Sequence, residues 1–120
     1  MKLPSAAHPI TVEKLGKPLT VTFKGEVVAH SNAALVLQES SYPPVYYIPR
    51  ADIVAAHYRR TERSTHCPYK GDASYFSLIA HGEADENAVW SYETPYPAVA
   101  QIEEHVAFYP DRVSFQVAGS

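Results

Sequence analysis

Leu19-Thr20-Val21-Thr22-Phe23-Lys24-Gly25-Glu26-Val27-Val28-Ala29 decides the fold. Apolar and polar residues alternate from Leu19 to Phe23, the period of a strand with one face buried. Lys24-Gly25 reads as a turn, because glycine takes the positive φ that tight hairpins demand. Glu26 to Ala29 then reads as the returning strand. A second turn at Ser31-Asn32 leads into a third strand, Ala34 to Glu39, so the opening of the chain is a meander.

Toward the C-terminus the same punctuation continues. Ser41-Tyr42-Pro43-Pro44 is a loop, since consecutive prolines donate nothing to a ladder. Val45 to Ile48 is a short strand closed by Pro49. Asp52 to Tyr58 reads as a short helix, and Arg59 to Thr65 as an edge strand or loop. Pro68 and Gly71 make His66 to Asp72 irregular. Ala73 to Ala80 and Ala88 to Tyr92 read as strands separated by a turn at His81-Gly82-Glu83. Pro97 suits the first position of a helix, where its missing N–H costs nothing. Val99, Ile102 and Val106 follow at helical spacing, so a helix is expected over Pro97 to Val106. Val113 to Val117 is a last strand. Toward the N-terminus, residues 1–18 hold prolines at positions 4, 9 and 18 without a clean period and read as an arm, leaving 19–120 as a single β-rich domain. The class expected is α+β, mostly β and antiparallel, with one short helix in the C-terminal half.

Composition agrees. A chain of 120 residues fits one domain that buries its own core. Nine tyrosines favour strands and ten prolines limit long helices. The net charge of -3 gives no global pull toward nucleic acid. No stretch approaches the roughly 18 apolar residues of a membrane span. A single cysteine excludes an internal disulfide, and Met1 to Ile10 carry no apolar signal run, so the cytoplasm is the expected location.

The segment from His57 to Asp72 holds the one cysteine and the densest basic cluster. Thiolate is the reactive form of cysteine, and nearby cations stabilise it. Arg59, Arg60, Arg63 and Lys70 lie close to Cys67 in sequence, and His66 adjoins it as a candidate base. The competing reading of Cys67 is a small buried hydrophobe. Lys70-Gly71 lacks the second glycine and the helix of a phosphate loop. A glycine turn flanked by lysine and arginines still suits an anion. If the strand runs to Glu39, that residue shares the face of Leu35 and Leu37 at the rim of the core, where desolvation would raise its pKa and fit it for acid–base work. The competing reading ends the strand by Gln38 and leaves Glu39 in water. Adjacent strand residues point to opposite faces, so Tyr46 and Tyr47 cannot both be core. His66-Cys67 has no second pair at zinc-finger spacing.

The expected function is therefore binding of an anionic small molecule, nucleotide-like or carboxylate-like, beside the loop 65–75. Lys70, Gly71, Arg59, Arg60 and Arg63 would meet the charge, with Tyr46, Tyr75 and Trp90 as walls. Cys67, Glu39 and His66 are the catalytic candidates if there is chemistry. The alternatives are an enzyme using Cys67 as nucleophile or redox thiol, and a structural or partner-binding module, including a homodimer. Neither a cofactor nor a metal is expected.

Several blocks carry a family resemblance: Thr65-His66-Cys67-Pro68-Tyr69-Lys70-Gly71-Asp72-Ala73-Ser74-Tyr75, Pro43-Pro44-Val45-Tyr46-Tyr47-Ile48-Pro49, Ala88-Val89-Trp90-Ser91-Tyr92 and His105-Val106-Ala107-Phe108-Tyr109. In this order they resemble the bacterial and fungal family known as domain of unknown function 427, from about Val21 to Phe115. The resemblance implies a compact curved sheet, β-tent-like or a partly open barrel. It carries a nucleotidyltransferase-like label without a mechanism. The cysteine pairs that hold zinc in metal-binding β-tents are absent. His30 departs from the small acidic or polar residue expected there, and the N-terminal arm is long. Neither departure touches the cysteine segment.

Overall fold

The computed structural model describes residues 1–119. Ser120, the end of the domain boundary read from sequence, lies outside the described residues. The described chain forms ten strands: β1 (Ile10–Lys14), β2 (Leu19–Phe23), β3 (Glu26–Ser31), β4 (Leu35–Glu39), β5 (Val45–Pro49), β6 (Tyr58–Cys67), β7 (Gly71–Ala80), β8 (Glu83–Ser91), β9 (His105–Phe108) and β10 (Ser114–Val117). They make two antiparallel sheets that do not close into a barrel. One runs β1-β4-β5-β9-β8-β7-β6 and the other β10-β2-β3. Two of the turns read from sequence have the geometry their residues imply. Lys24 and Gly25 take φ of 49° and 81°, and His81 and Gly82 take 53° and 74°. Positive φ at both central residues is what a two-residue hairpin needs to match strand twist.

The alternation in β2 buries Leu19, Val21 and Phe23. They meet Val28 and Ala29 of β3, and Ile48, Leu78, Val89, Val106 and Phe108 from the seven-stranded sheet, in one cluster between the sheets. A second cluster covers the opposite face of the larger sheet: Leu37, Tyr47, Ala73, Tyr75, Tyr92 and Ala107, under Val99 and Ile102. Each fully buried side chain of this size stabilises the fold by about 1.5–3 kcal/mol relative to exposure.

Four expectations are corrected. The opening meander is only a hairpin: β2 pairs with β3, but after Ser31-Asn32 the chain crosses to the larger sheet, where β4 pairs with β1 and β5. The helix over Pro97 to Val106 is instead a 3-10 segment, Pro97–Ile102, with Val99 at φ -126° and ψ 31° inside it. Glu104 then reverses the chain at φ 57°, and Val106 joins β9, paired with Ile48 and Ser91. The apolar spacing was real, since Val99 and Ile102 are buried, but two sheet neighbours claimed Val106. Asp52 to Tyr58 is likewise not one helix. Two 3-10 turns, Arg50–Asp52 and Ala55–His57, flank an extended step where Ile53 bridges Ala29 and the Val54 N–H donates to the Val28 carbonyl. His66 to Asp72 is the end of a hairpin rather than an irregular stretch, because Cys67 pairs with Gly71 around Pro68-Tyr69-Lys70. The arm of residues 1–18 contributes β1, which pairs along β4 from Ile10↔Glu39 to Lys14↔Leu35.

Two bulges shape the middle of the larger sheet. In β6, Arg60 pairs with Phe76 and Ser64 with Ser74, so Thr61, Glu62 and Arg63 together face the single Tyr75. In β8, Phe76 pairs with Val89 and Leu78 with Asp85, leaving extra residues there too, with Asn87 at φ 56°. The Thr61 hydroxyl donates to Asn87 Oδ1 at 2.6 Å and ties the bulges together across β7. Bulges of this kind bend a sheet and re-aim side chains.

Candidate functional site

β5 and β9 pair only through Ile48↔Val106 and Pro49↔His105. Continuing that register would set Tyr47 opposite Ala107 and Tyr46 opposite Phe108, but the strands part before those positions. The split opens a cleft of about 640 Å³. Tyr46 and Tyr47 line it from β5, and Phe108, Tyr109 and Pro110 line it across the gap. Its floor is Tyr75, Trp90 and Tyr92, and its lip is the loop Tyr42-Pro43-Pro44. A gap through the sheet explains how Tyr46 and Tyr47, on opposite faces, both reach it. Tyr47 is buried and Tyr46 half-buried.

One end of the cleft is polar. Lys70 Nζ donates to Glu39 Oε1 at 2.5 Å, and His8 Nε2 lies 2.8 Å from Glu39 Oε2. The pair is largely buried, with side-chain exposures of 10% and 14%. Gly71 sets Lys70 in place: its φ of 112° closes the hairpin, and the Tyr96 N–H donates to the Lys70 carbonyl. The His8 ring stacks on Tyr69 at 4.1 Å and meets Tyr42 edge-on. Backbone bonds from Lys2 N to Pro68 O and from Ser40 N to Pro9 O hold this N-terminal segment against the hairpin.

The raised pKa expected of Glu39 is overturned. Burial pushes its carboxyl up, but the hydrogen bonds and charges of Lys70 and His8 together hold it below the ordinary value. Glu39 is therefore a paired carboxylate.

The other end is phenolic. Thr65 Oγ1 and Tyr75 Oη lie 2.9 Å apart, and Arg63 sits over the Tyr75 ring at 4.9 Å. Burial raises the Tyr75 pKa, but hydrogen bonds with Thr65, Tyr109 and Arg63, with the arginine charge, bring it below the usual phenol value. Tyr109 is raised, by burial and by its bond to Tyr75. Between the ends, Trp90 Nε1 donates to Tyr47 Oη at 3.2 Å, and Trp90 packs on Tyr109 with centroids 4.7 Å apart.

The structure thus brings Glu39, Lys70, Tyr46, Tyr75 and Trp90 to one cleft, sets Arg63 over the Tyr75 ring beside it, and disperses the rest of the sequence-read set. Gly71 shapes the Lys70 turn and does not line the cleft. Arg60 lies on the opposite face of the sheet, with its Nη2 2.5 Å from Glu93 Oε2. Arg50 shares that oxygen at 3.0 Å, and both guanidinium groups flank the Phe76 ring. This network holds the Glu93 carboxyl down at about 2, the Arg60 hydrogen bond outweighing the upward push of burial. Arg59 lies opposite Ser77, beyond the cleft. His66 and Cys67, adjacent in a strand, face opposite ways. His66 bonds to Asp72 at 2.7 Å on the exposed face, while Cys67 packs half-buried against the aromatic cluster. The two therefore form no thiol–imidazole pair.

The sequence reading missed Tyr47, Tyr92 and Tyr109 as site residues, and His8 altogether. The tyrosines were legible as strand aromatics, but only the β5–β9 split makes them walls. His8 lies 31 residues from Glu39 and no local pattern links them. Among the described residues no helix is long and apolar enough to cross a membrane.

A search of curated proteins finds none that matches this chain. A family model described as domain of unknown function (DUF427), which bears the label NTP_transf_9, matches residues 11–119. That match takes in all ten strands but the first residue of β1, and with them Glu39, Lys70 and the phenolic end of the cleft but not His8, and the chain belongs to the DUF427 family.

Proposed function

We propose that this protein binds a flat aromatic small molecule carrying an anionic group, seated in the β5–β9 cleft. One observation carries the reading: an open, largely aromatic cleft of about 640 Å³ with a few fixed polar groups at its ends. Ligand sites are typically apolar concavities of about 300–1,000 Å³ with a small number of placed polar groups. Tyrosine and tryptophan faces favour planar ligands by stacking, and their O–H and N–H tips fix orientation. The free thiol of Cys67 fits a reducing, cytoplasmic setting.

Trp90, the only tryptophan, lines the cleft and reports on it directly. Titration with N-phenylnaphthylamine is expected to quench Trp90 emission saturably, with transfer of excitation to the dye. Trp90→Phe should abolish the transfer while dye fluorescence still saturates. Absence of any saturable change in Trp90 emission, with near-ultraviolet circular dichroism intact, would overturn the proposal.

A further inference from the structure

Lys70, the cation that the sequence offers most readily to an anion, is already neutralised by Glu39. Arg112, near Tyr109, is held by Asp85 and Asp111. Of the basic side chains around the cleft, Arg63 alone has no carboxylate partner among the described residues. Its contacts are the face of Tyr75 and the Tyr75 hydroxyl.

The β6 bulge explains this placement. Without the extra residues of Thr61–Arg63, Thr61 would stand opposite Tyr75 and the guanidinium would lie further down the strand. The bulge is held by the Thr61 hydroxyl, which donates to Asn87 and accepts from the Arg63 N–H at 3.3 Å. The result is an exposed arginine arched over a tyrosine of the cleft wall, with Tyr109 beside it.

We infer that Arg63 is the residue that takes the oxyanion of the cleft's ligand, and that the ligand is an aromatic acid lying along Trp90 with its charged group at the Tyr75–Tyr109 end. This rests on the cleft being a binding site, as proposed above. Guanidinium offers donors in a planar fork that matches a carboxylate or sulfonate, and those not used on Tyr75 face solvent. The Lys70–Glu39 pair then closes the far end, about 13 Å away along β7 as counted from Gly71 to Tyr75. A second anion placed there would face the carboxylate.

Two dyes with one aromatic body separate the inference from the reading beneath it: anilinonaphthalene sulfonate, and N-phenylnaphthylamine without the sulfonate. Wild-type protein is expected to prefer the sulfonate, and to lose that preference as salt is raised. Arg63→Gln should weaken the sulfonate about tenfold, the size of one charge-assisted bond at a partly exposed site, and the neutral dye less than twofold. Arg63→Lys should recover part of the loss. Arg59→Gln, which removes the same charge outside the cleft, should change neither dye. Equal affinities for the two dyes in wild type, or a preference removed by Lys70→Met and untouched by Arg63→Gln, overturns the inference while leaving the cleft as a binding site. Failure of both dyes to move Trp90 emission overturns both.

Discussion

The two faces of the seven-stranded sheet are built from different residues and end in different states. The face under β10-β2-β3 is packed with Val21, Val28, Ile48, Leu78, Val89 and Val106, and the second sheet covers most of it, leaving a smaller cavity of about 220 Å³ beside Tyr58, Phe76 and Val106. The other face carries Tyr47, Tyr75, Trp90 and Tyr92, and is covered only in part, by Val99 and Ile102. Aliphatic side chains have no polar atom to satisfy and interdigitate closely. Tyrosines and tryptophan must keep their tips bonded, so they stand as walls and hold a cleft open. One sheet therefore supplies both a packed core and a site.

The sharpest way to break this contrast is on the packed face. Leu78→Ala should cost about 3 kcal/mol, the price of a cavity in a core that cannot collapse, read as a lower urea midpoint at unchanged slope. Dye binding in the cleft should survive in the folded fraction.

Next in size is the polar end of the cleft. Lys70→Met leaves a largely buried carboxylate with only His8 beside it, and is expected to cost about 2 kcal/mol at neutral pH. Lys70 and His8 hold the folded Glu39 carboxyl below its ordinary value of 4.5, so the stability it contributes is present above that value. It is lost as pH falls through the folded pKa. The gap between wild type and Lys70→Met should therefore narrow in acid, which thermal melts at neutral and acidic pH would test.

Glu93, on the packed-face side of the sheet, should cost less. Glu93→Gln loosens Arg50 and Arg60 together and is expected to destabilise by about 1 kcal/mol, because the network is partly exposed. The Arg60 and Arg50 contacts hold the folded carboxyl down at about 2, against an ordinary value of 4.5. Its contribution is full above 4.5 and disappears as pH falls toward 2, so the acid limb of the stability profile should be flatter in the variant.

The smallest effect sharpens the comparison from the open side. Tyr42 is 58% exposed on the cleft lip, so Tyr42→Ser should change stability by less than about 0.5 kcal/mol. It should still lower dye affinity a few-fold by removing one aromatic wall. A stability loss rivalling Leu78→Ala would mean that the lip belongs to the core.

The pair Arg60 and Arg63 shows how far local pattern reaches. Both stand in one basic run, and the sequence treats them as a single cluster. Strand alternation turns Arg60 to Glu93 and Phe76 on one face and Arg63 to the other, and the two-residue offset in β6 brings Arg63 level with Tyr75. Glu39 shows the same limit. Its position at the rim of a half-buried strand was legible, but its pKa direction was not, because Lys70 and His8 both come from 31 residues away.

The sequence by itself determined the β class, the hairpin of β2 and β3, the turns at Lys24-Gly25 and His81-Gly82, and the aromatic character of β5 and β8. These depend on period, turn chemistry and proline placement, which act within a few residues. Tertiary structure alone decided that Val106 joins a strand, that β1 adds an edge to the larger sheet, that β5 and β9 part to form the cleft, and which cations keep their charge unpaired. Each of these depends on which distant strand lies alongside, and a ladder or an ion pair forms only with the neighbour that folding delivers.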